Sequence, residues 1–241
     1  MVLIEVRIGP RLLMKGKFIM LEPYAPDTTR QIIFSDVHWL ENNKDPVCDQ
    51  KLNIVVSYLK KNGEWGHYTE FKINLLESHG FGTSEWRVSC FISQDDEDKV
   101  YRQGITDIFK LWQEEKNISW FSLPEAHHLK ADYISACLFY TGISDSMVER
   151  EVYEIDMSLV NEEQDFLYLA GLAFIGDRGY LGRDLFTFND CLLTIFHKRG
   201  AFFDGLKVVF LNTKNLSQTM LHLYGEIRSI FIKFKFEVLE T

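Results

Sequence analysis

The hydrophobic pattern of this chain changes period part-way along. That change constrains the fold more than any single motif does. Up to Ile92 the apolar residues fall in short runs rich in branched and aromatic side chains, divided by Gly, Pro and Asp. "LIEVRI", "KFIMLEPY", "RQIIFSDVHWL" and "EWRVSCFIS" have the composition and length of strands. Asn62-Gly63 stands between "KLNIVVSYL" and "HYTEFKINLLE", a strong hairpin signal. Val100, Ile105, Ile108, Phe109 and Trp112 then recur at roughly helical spacing, opposite a charged side. Asp95, Asp96 and Asp98 precede them, where acidic groups suit the positive end of a helix dipole. "ISWFSLP" and "YISACLFYTG" look like further strands. These features predict an α+β domain over residues 1–147, with an antiparallel-rich sheet and at least one helix.

A small polar run, "TGISDSMVERE", suggests a boundary. Beyond it the order becomes strand, helix, helix, strand, helix, strand. "EVYEIDMSL" is strand-like. Asn161 is placed to cap the next helix, with Gln164 completing a capping box. Phe166, Leu169, Ala170, Ala173 and Phe174 form its apolar stripe, and Gly176 is a natural stop. "LKVVFLN" is a continuous apolar run of strand length, as a buried parallel strand should be. "NLSQTMLHLYGEIRSIF" is helical in period and "IKFKFEVL" alternates as a closing strand. Strands separated by helices predict a small α/β domain with a parallel sheet over 148–241.

Composition bounds what such a chain can do. Of 241 residues 46% are hydrophobic, enough for one large domain or two small ones and too many for disorder. The formal net charge of −9 is spread along the chain. Bare nucleic-acid phosphate repels such a protein, so a basic protein is the better-matched partner and direct nucleic-acid binding the poorer one. Cys48, Cys90, Cys137 and Cys191 include no C-x-x-C pair, which suggests buried free thiols in a reducing compartment. Neither a signal peptide nor a membrane span is evident, so a cytoplasmic location is expected.

The most informative segment is "GYLGRDLFTFNDCLL", from Gly179 to Leu193. With a helix starting at Asp184, residues Leu185, Phe188, Leu192 and Ile195 make a core stripe. Phe186, Asn189, Asp190 and Leu193 make a second face at i, i+3, i+4 and i+7. Two large apolar groups around an Asp and an Asn are odd for a face that meets only water.

From Tyr153 to Thr241 the chain resembles barstar, an intracellular ribonuclease inhibitor, and its relatives among immunity proteins. The residues carrying the likeness are Tyr180, Leu181, Gly182, Asp184, Leu185, Asn189, Asp190, Cys191 and Leu192, with "LKVVFLN" and its flanking elements in matching order. The resemblance implies a protein that inserts this loop and helix into the active site of a basic nuclease toxin. Asp190 would stand in for substrate phosphate, Tyr180 would be a loop contact, and Gly182 would allow close backbone approach. Phe186, Asn189 and Leu193 would complete the toxin-binding face. Two departures stand out: Asn189 replaces the family's aromatic before the Asp-Cys pair, and Phe186 replaces an acidic residue. They imply a more apolar interface or a different nuclease. The alternative is a non-enzymatic adaptor whose 186/193 face is buried against the N-terminal domain.

No motif argues for an enzyme, a cofactor or a metal. "QDDEDK" at 94–99 lacks the glycine and distal Glu of an EF-hand loop. The adjacent His127 and His128 do not have metal-ligand spacing. "GFG" at 80–82 and "GDRGYLG" at 176–182 lack the Lys-Ser/Thr of a phosphate loop. His38, His67, Asp36 and Glu70, candidates for a catalytic cluster, are scattered.

Overall fold

The computed structural model describes residues 2–21, 29–40, 49–92, 102–114, 120–123 and 127–241. The chain divides into two compact units, Met1–Ser119 and Trp120–Thr241.

The first unit is built on antiparallel pairing. Its strands are β1 (Val2–Ile8), β2 (Arg11–Gly16), β3 (Phe18–Leu21), β4 (Arg30–Ser35), β5 (His38–Trp39), β6 (Lys51–Leu59), β7 (Trp65–His79) and β8 (Glu85–Ile92). They form one sheet in the order β3-β4-β8-β7-β6-β1-β2-β5. Only Lys17 separates β2 from β3, and only Asp36 and Val37 separate β4 from β5. β3 pairs with β4 and β2 with β5, so these are two bent ribbons paired along both arms. The ends of the sheet therefore lie side by side, and it closes into a barrel. Asp36 makes one bend with a left-handed backbone, φ 52°.

Alternation fills the barrel. Ile4 faces Val56, Val6 faces Ile54, Ile54 faces Phe71 and Phe34 faces Trp86 across neighbouring strands, and all are buried. The β6–β7 hairpin turns at Asn62-Gly63. The Gly63 N–H donates to the Lys60 carbonyl, and Gly63 sits at φ +84°, a conformation that favours glycine. Helix α1 (Gln103–Gln113) buries Ile105, Ile108, Phe109 and Trp112, and Phe109 stacks on Tyr58 at 5.5 Å. Its first turn holds no acidic residue, and the 94–99 run lies outside the described residues.

In the second unit two expected strands are absent. Trp120–Ser122 is a turn of 3-10 helix, and "YISACLFYTG" up to Thr141 belongs to helix α2 (His127–Thr141). Short apolar runs do not distinguish a buried helix from a strand, and here length decided. Strand β9 (Val152–Asp156), helix α3 (Glu163–Phe174), helix α4 (Leu185–Arg199), strand β10 (Lys207–Leu211), helix α5 (Gln218–Lys233) and strand β11 (Glu237–Glu240) follow. The polar 142–151 run joins α2 to β9 inside this unit.

β10 lies centrally and pairs in parallel with both β9 and β11. It is buried on one side, at Val208 and Phe210, while Val209 and Leu211 are only half-buried. The three strands advance in one direction across the sheet, and right-handed crossovers then put their helices on the same face. The closing strand is shorter than its alternation predicts. α5 continues to Lys233, and Lys235 at φ +64° ends the turn before Glu237.

Aromatic rings fill the space beneath the helices. Phe231 touches Phe174, Phe188, Phe210 and Phe236, with ring centroids between 5.3 and 5.8 Å apart. A polar cluster joins α2 to α3. Asp165 is 0% exposed and accepts hydrogen bonds from Trp120 Nε1 at 2.7 Å, Lys130 Nζ at 2.8 Å and the Asn161 N–H at 3.0 Å. Lys130 also reaches Glu162 at 2.6 Å. The expected capping box of Asn161 and Gln164 is not formed. Glu162 is the N-cap residue and makes no side-chain cap bond; its carboxylate accepts from Lys130 instead.

Candidate functional site

The candidate site is the first two turns of α4 and the loop before them. Two close approaches shape the loop. Gly171 of α3 and Gly179 pack back to back, and a Cβ on either would strike the other's carbonyl oxygen. Gly182 has φ +116°, and a Cβ there would lie 2.5 Å from the Phe188 amide nitrogen. Both Tyr180 and Leu181 are buried, and burial pushes the Tyr180 phenol pKa up. The glycine-rich run thus packs the loop onto its own helices.

Asp184 starts the helix as N-cap. Its Oδ1 accepts from the Thr187 N–H at 2.7 Å, and the Thr187 hydroxyl accepts from the Asp184 N–H at 3.1 Å, a reciprocal box. The Thr187 N–H is the main cause holding the Asp184 carboxyl below the ordinary aspartate value, against a smaller opposing effect of burial. Glu163 of α3 accepts from the Leu185 N–H. At the far end Gly200 adopts the left-handed conformation, and His197, Lys198 and Arg199 occupy the negative end of the dipole. Both ends are capped locally, and Glu163 adds a partner from α3 at the first turn.

The two faces predicted for this helix are present. Phe188, Leu192 and Ile195 are buried, with Cys191 beside them and Leu185 partly covered. Phe186, two residues before Phe188, is 76% exposed, and Leu193 is 36% exposed. Asp190 lies between them at the surface and has no ion pair among the described residues. Lys233 of α5 donates to Asn189 Oδ1 at 2.7 Å, and the Asn189 amide nitrogen lies 3.5 Å from Asp190 Oδ1. Asn189 is thus oriented by a cation from another helix, while the Asp190 carboxylate keeps open acceptor positions. Lys233 and Glu163 were missing from the sequence-derived site. They are far from it along the chain, and no local pattern marks them.

Phe186, Asn189, Asp190 and Leu193 therefore share an exposed strip, while Tyr180 and Gly182 lie beneath it. The strip offers a carboxylate flanked by apolar groups on a rigid helix. It holds no activated nucleophile: burial and the neighbouring Asp190 charge push the Cys191 thiol up to about 11. The other candidates do not converge. Asp36 pairs with Lys17 at 3.8 Å, Glu70 accepts from Asn53, and His38 and His67 lie opposite Lys15 and Ser57 on separate strands. Among the described residues no group of three metal-ligating side chains occurs, and no helix is long and apolar enough to cross a membrane. Compared with known proteins, the chain matches no family model, no curated protein and no solved structure.

Proposed function

We propose that this protein is a cytoplasmic immunity protein, not an enzyme, that binds and inhibits a basic nuclease toxin, a ribonuclease being the best-matched class. The α4 strip enters the toxin's active site, with Asp190 meeting the cationic groups that bind substrate phosphate. Phe186 and Leu193 bury apolar area around that contact, and Asn189, held by Lys233, lines its edge. Tyr180 and Gly182 act one step back by holding the loop in shape. The observation carrying this reading is the exposure of Phe186 beside Asp190, which has no ion pair among the described residues, on a doubly capped helix. An apolar group this exposed next to a surface carboxylate with open acceptor positions suits a partner with an apolar wall and a basic floor. The acidic balance of the chain speeds encounter with such a partner, and the buried contacts govern residence time.

The test is inhibition of a panel of basic ribonuclease toxin domains by this protein, followed by nuclease assay and binding kinetics. Asp190→Ala is expected to weaken binding by about 2–5 kcal/mol, mainly through faster dissociation, because it leaves the toxin's cations unpaired. Phe186→Ala is expected to cost about 2 kcal/mol. Full inhibition by both variants would rule out this helix as the inhibitory face.

A further inference from the structure

We propose that the open face of the parallel sheet in the second unit docks a basic amphipathic helix of a partner protein. This surface is separate from the proposed toxin-binding strip on α4 and does not rest on it. The helices cover one face of the sheet only. Tyr153, Ile155, Val208 and Phe210 lie on that face and are at most 1% exposed. The alternate residues of the same strands make up the other face. Parallel sheets occur almost only with both faces covered, so an uncovered one that carries apolar side chains is a docking surface.

The strand register lays this face out in three rows. Val152, Lys207 and Glu237 form the first, Glu154, Val209 and Leu239 the second, and Asp156 and Leu211 the third. Val152, Val209, Leu211 and Leu239 thus make an apolar band across the strands. Val152 is 40% and Leu239 38% exposed, while Val209 and Leu211 are half-buried. The two outer strands lie about 10 Å apart, close to the width of one α-helix. The band therefore suits a single helix with an apolar stripe.

Charge selects the kind of helix. On one flank of the band Lys207 is already paired with Glu237, at 3.5 Å. On the other flank stand two carboxylates that no cation meets. Glu154 has no ion pair among the described residues. Asp156 accepts from neutral donors, the Ser158 N–H, the Ser158 hydroxyl and the Asn212 amide, at 2.6 to 2.9 Å. Lys214, the next cation along the chain after Lys207, belongs to the turn beyond β10 and lies outside the three rows. Two carboxylates facing an internally neutralised pair suit lysines or arginines beside the apolar stripe of the incoming helix. A second copy of this chain is the poorer occupant, because two molecules of formal net charge −9 repel each other.

Two helical peptides of about 14 residues test this, with the same leucine stripe flanked by lysines in one and by glutamates in the other. Each is titrated into the isotope-labelled full-length protein and followed by NMR. The lysine peptide should shift the amide signals of Val152, Val209 and Leu239, and the glutamate peptide should leave them unmoved. Glu154→Lys should weaken binding of the lysine peptide by about fivefold to tenfold, because it reverses a charge at the rim of the contact. Leu239→Ser should weaken it by about fivefold through lost apolar burial. Both residues are exposed, so both variants should keep the wild-type circular dichroism spectrum. Asp190→Ala should bind the peptide as wild type does. Equal binding of the two peptides, binding of neither, an unchanged affinity in either variant, or shifts gathered at Phe186 and Leu193 would each overturn the assignment. Movement of the same signals with protein concentration alone would overturn it too, since it would make a second copy the occupant.

Discussion

The two units solve the problem of the sheet edge in opposite ways. In the first, two bent ribbons pair along both arms and the antiparallel sheet closes, so every ribbon has neighbours on both sides. In the second, three parallel strands leave β9 and β11 as edges, and the helices gather on one face. Backbone pairing and a filled interior hold the barrel together. The α/β unit depends on helix docking, on caps and on the buried cluster that ties α2 to α3. The barrel exposes single large apolar groups such as Met20, Trp65 and Phe91, while the open unit exposes Phe186 and Leu193 on one face of one helix.

Substitutions at three positions sharpen that contrast. The largest effect is expected at Lys130. Its removal leaves Asp165 buried without its cation, and breaking such a pair costs about 3–5 kcal/mol. Urea unfolding of Lys130→Ala, followed by Trp120 fluorescence, measures it. A loss below 1 kcal/mol would mean that the cluster does not hold α2. The cluster also has a pH signature. Burial works against the Lys130 charge, but the hydrogen bonds and charges of Asp165 and Glu162 outweigh it and raise its pKa. That stabilisation is complete below the ordinary lysine value of about 10.4 and is lost as pH rises through the raised one.

A middle-sized effect is expected in the barrel. Asp36→Val puts a β-branched residue at φ 52°, which costs about 1–2 kcal/mol through the backbone alone because the site is exposed. Asp36→Gly should be neutral or stabilising in the same thermal melt. If both variants matched wild type, the bend would not be a strained element of closure.

The smallest effect is expected at the cap. Asp184→Ala should cost about 1 kcal/mol, read as faster amide hydrogen exchange in the first turn of α4. Its pH dependence runs opposite to that of Lys130. The lowered Asp184 pKa means that the stabilisation is present above the ordinary aspartate value of about 3.9 and is lost as pH falls through the lowered one. Unchanged exchange at neutral pH would show that Glu163, not Asp184, orders this turn.

The candidate site was legible where its logic is local. The spacing of Phe186, Asn189, Asp190 and Leu193 against Phe188, Leu192 and Ile195 separates the two faces without reference to any other element. Tyr180 and Gly182 belonged to the same motif, but their inward packing comes from Gly171, Gly179 and the Phe188 backbone, none of which a loop motif specifies. The Lys233–Asn189 bond was invisible for the same reason, as its partners meet only when α5 lies beside α4.

By itself the sequence determined the alternating strands of the first unit, the hairpin at Asn62-Gly63 and the parallel order around "LKVVFLN". Each is written in contacts within one element or between neighbours, where side-chain period and turn chemistry dominate. Only the tertiary structure decided that the antiparallel sheet closes, that "YISACLFYTG" is helix, and that Trp120, Lys130 and Asp165 meet. Those outcomes depend on what lies across the fold. A short apolar run satisfies its burial equally well as helix or strand until a partner surface selects one. A buried charge is tolerable only once its counter-charge has arrived from elsewhere in the chain.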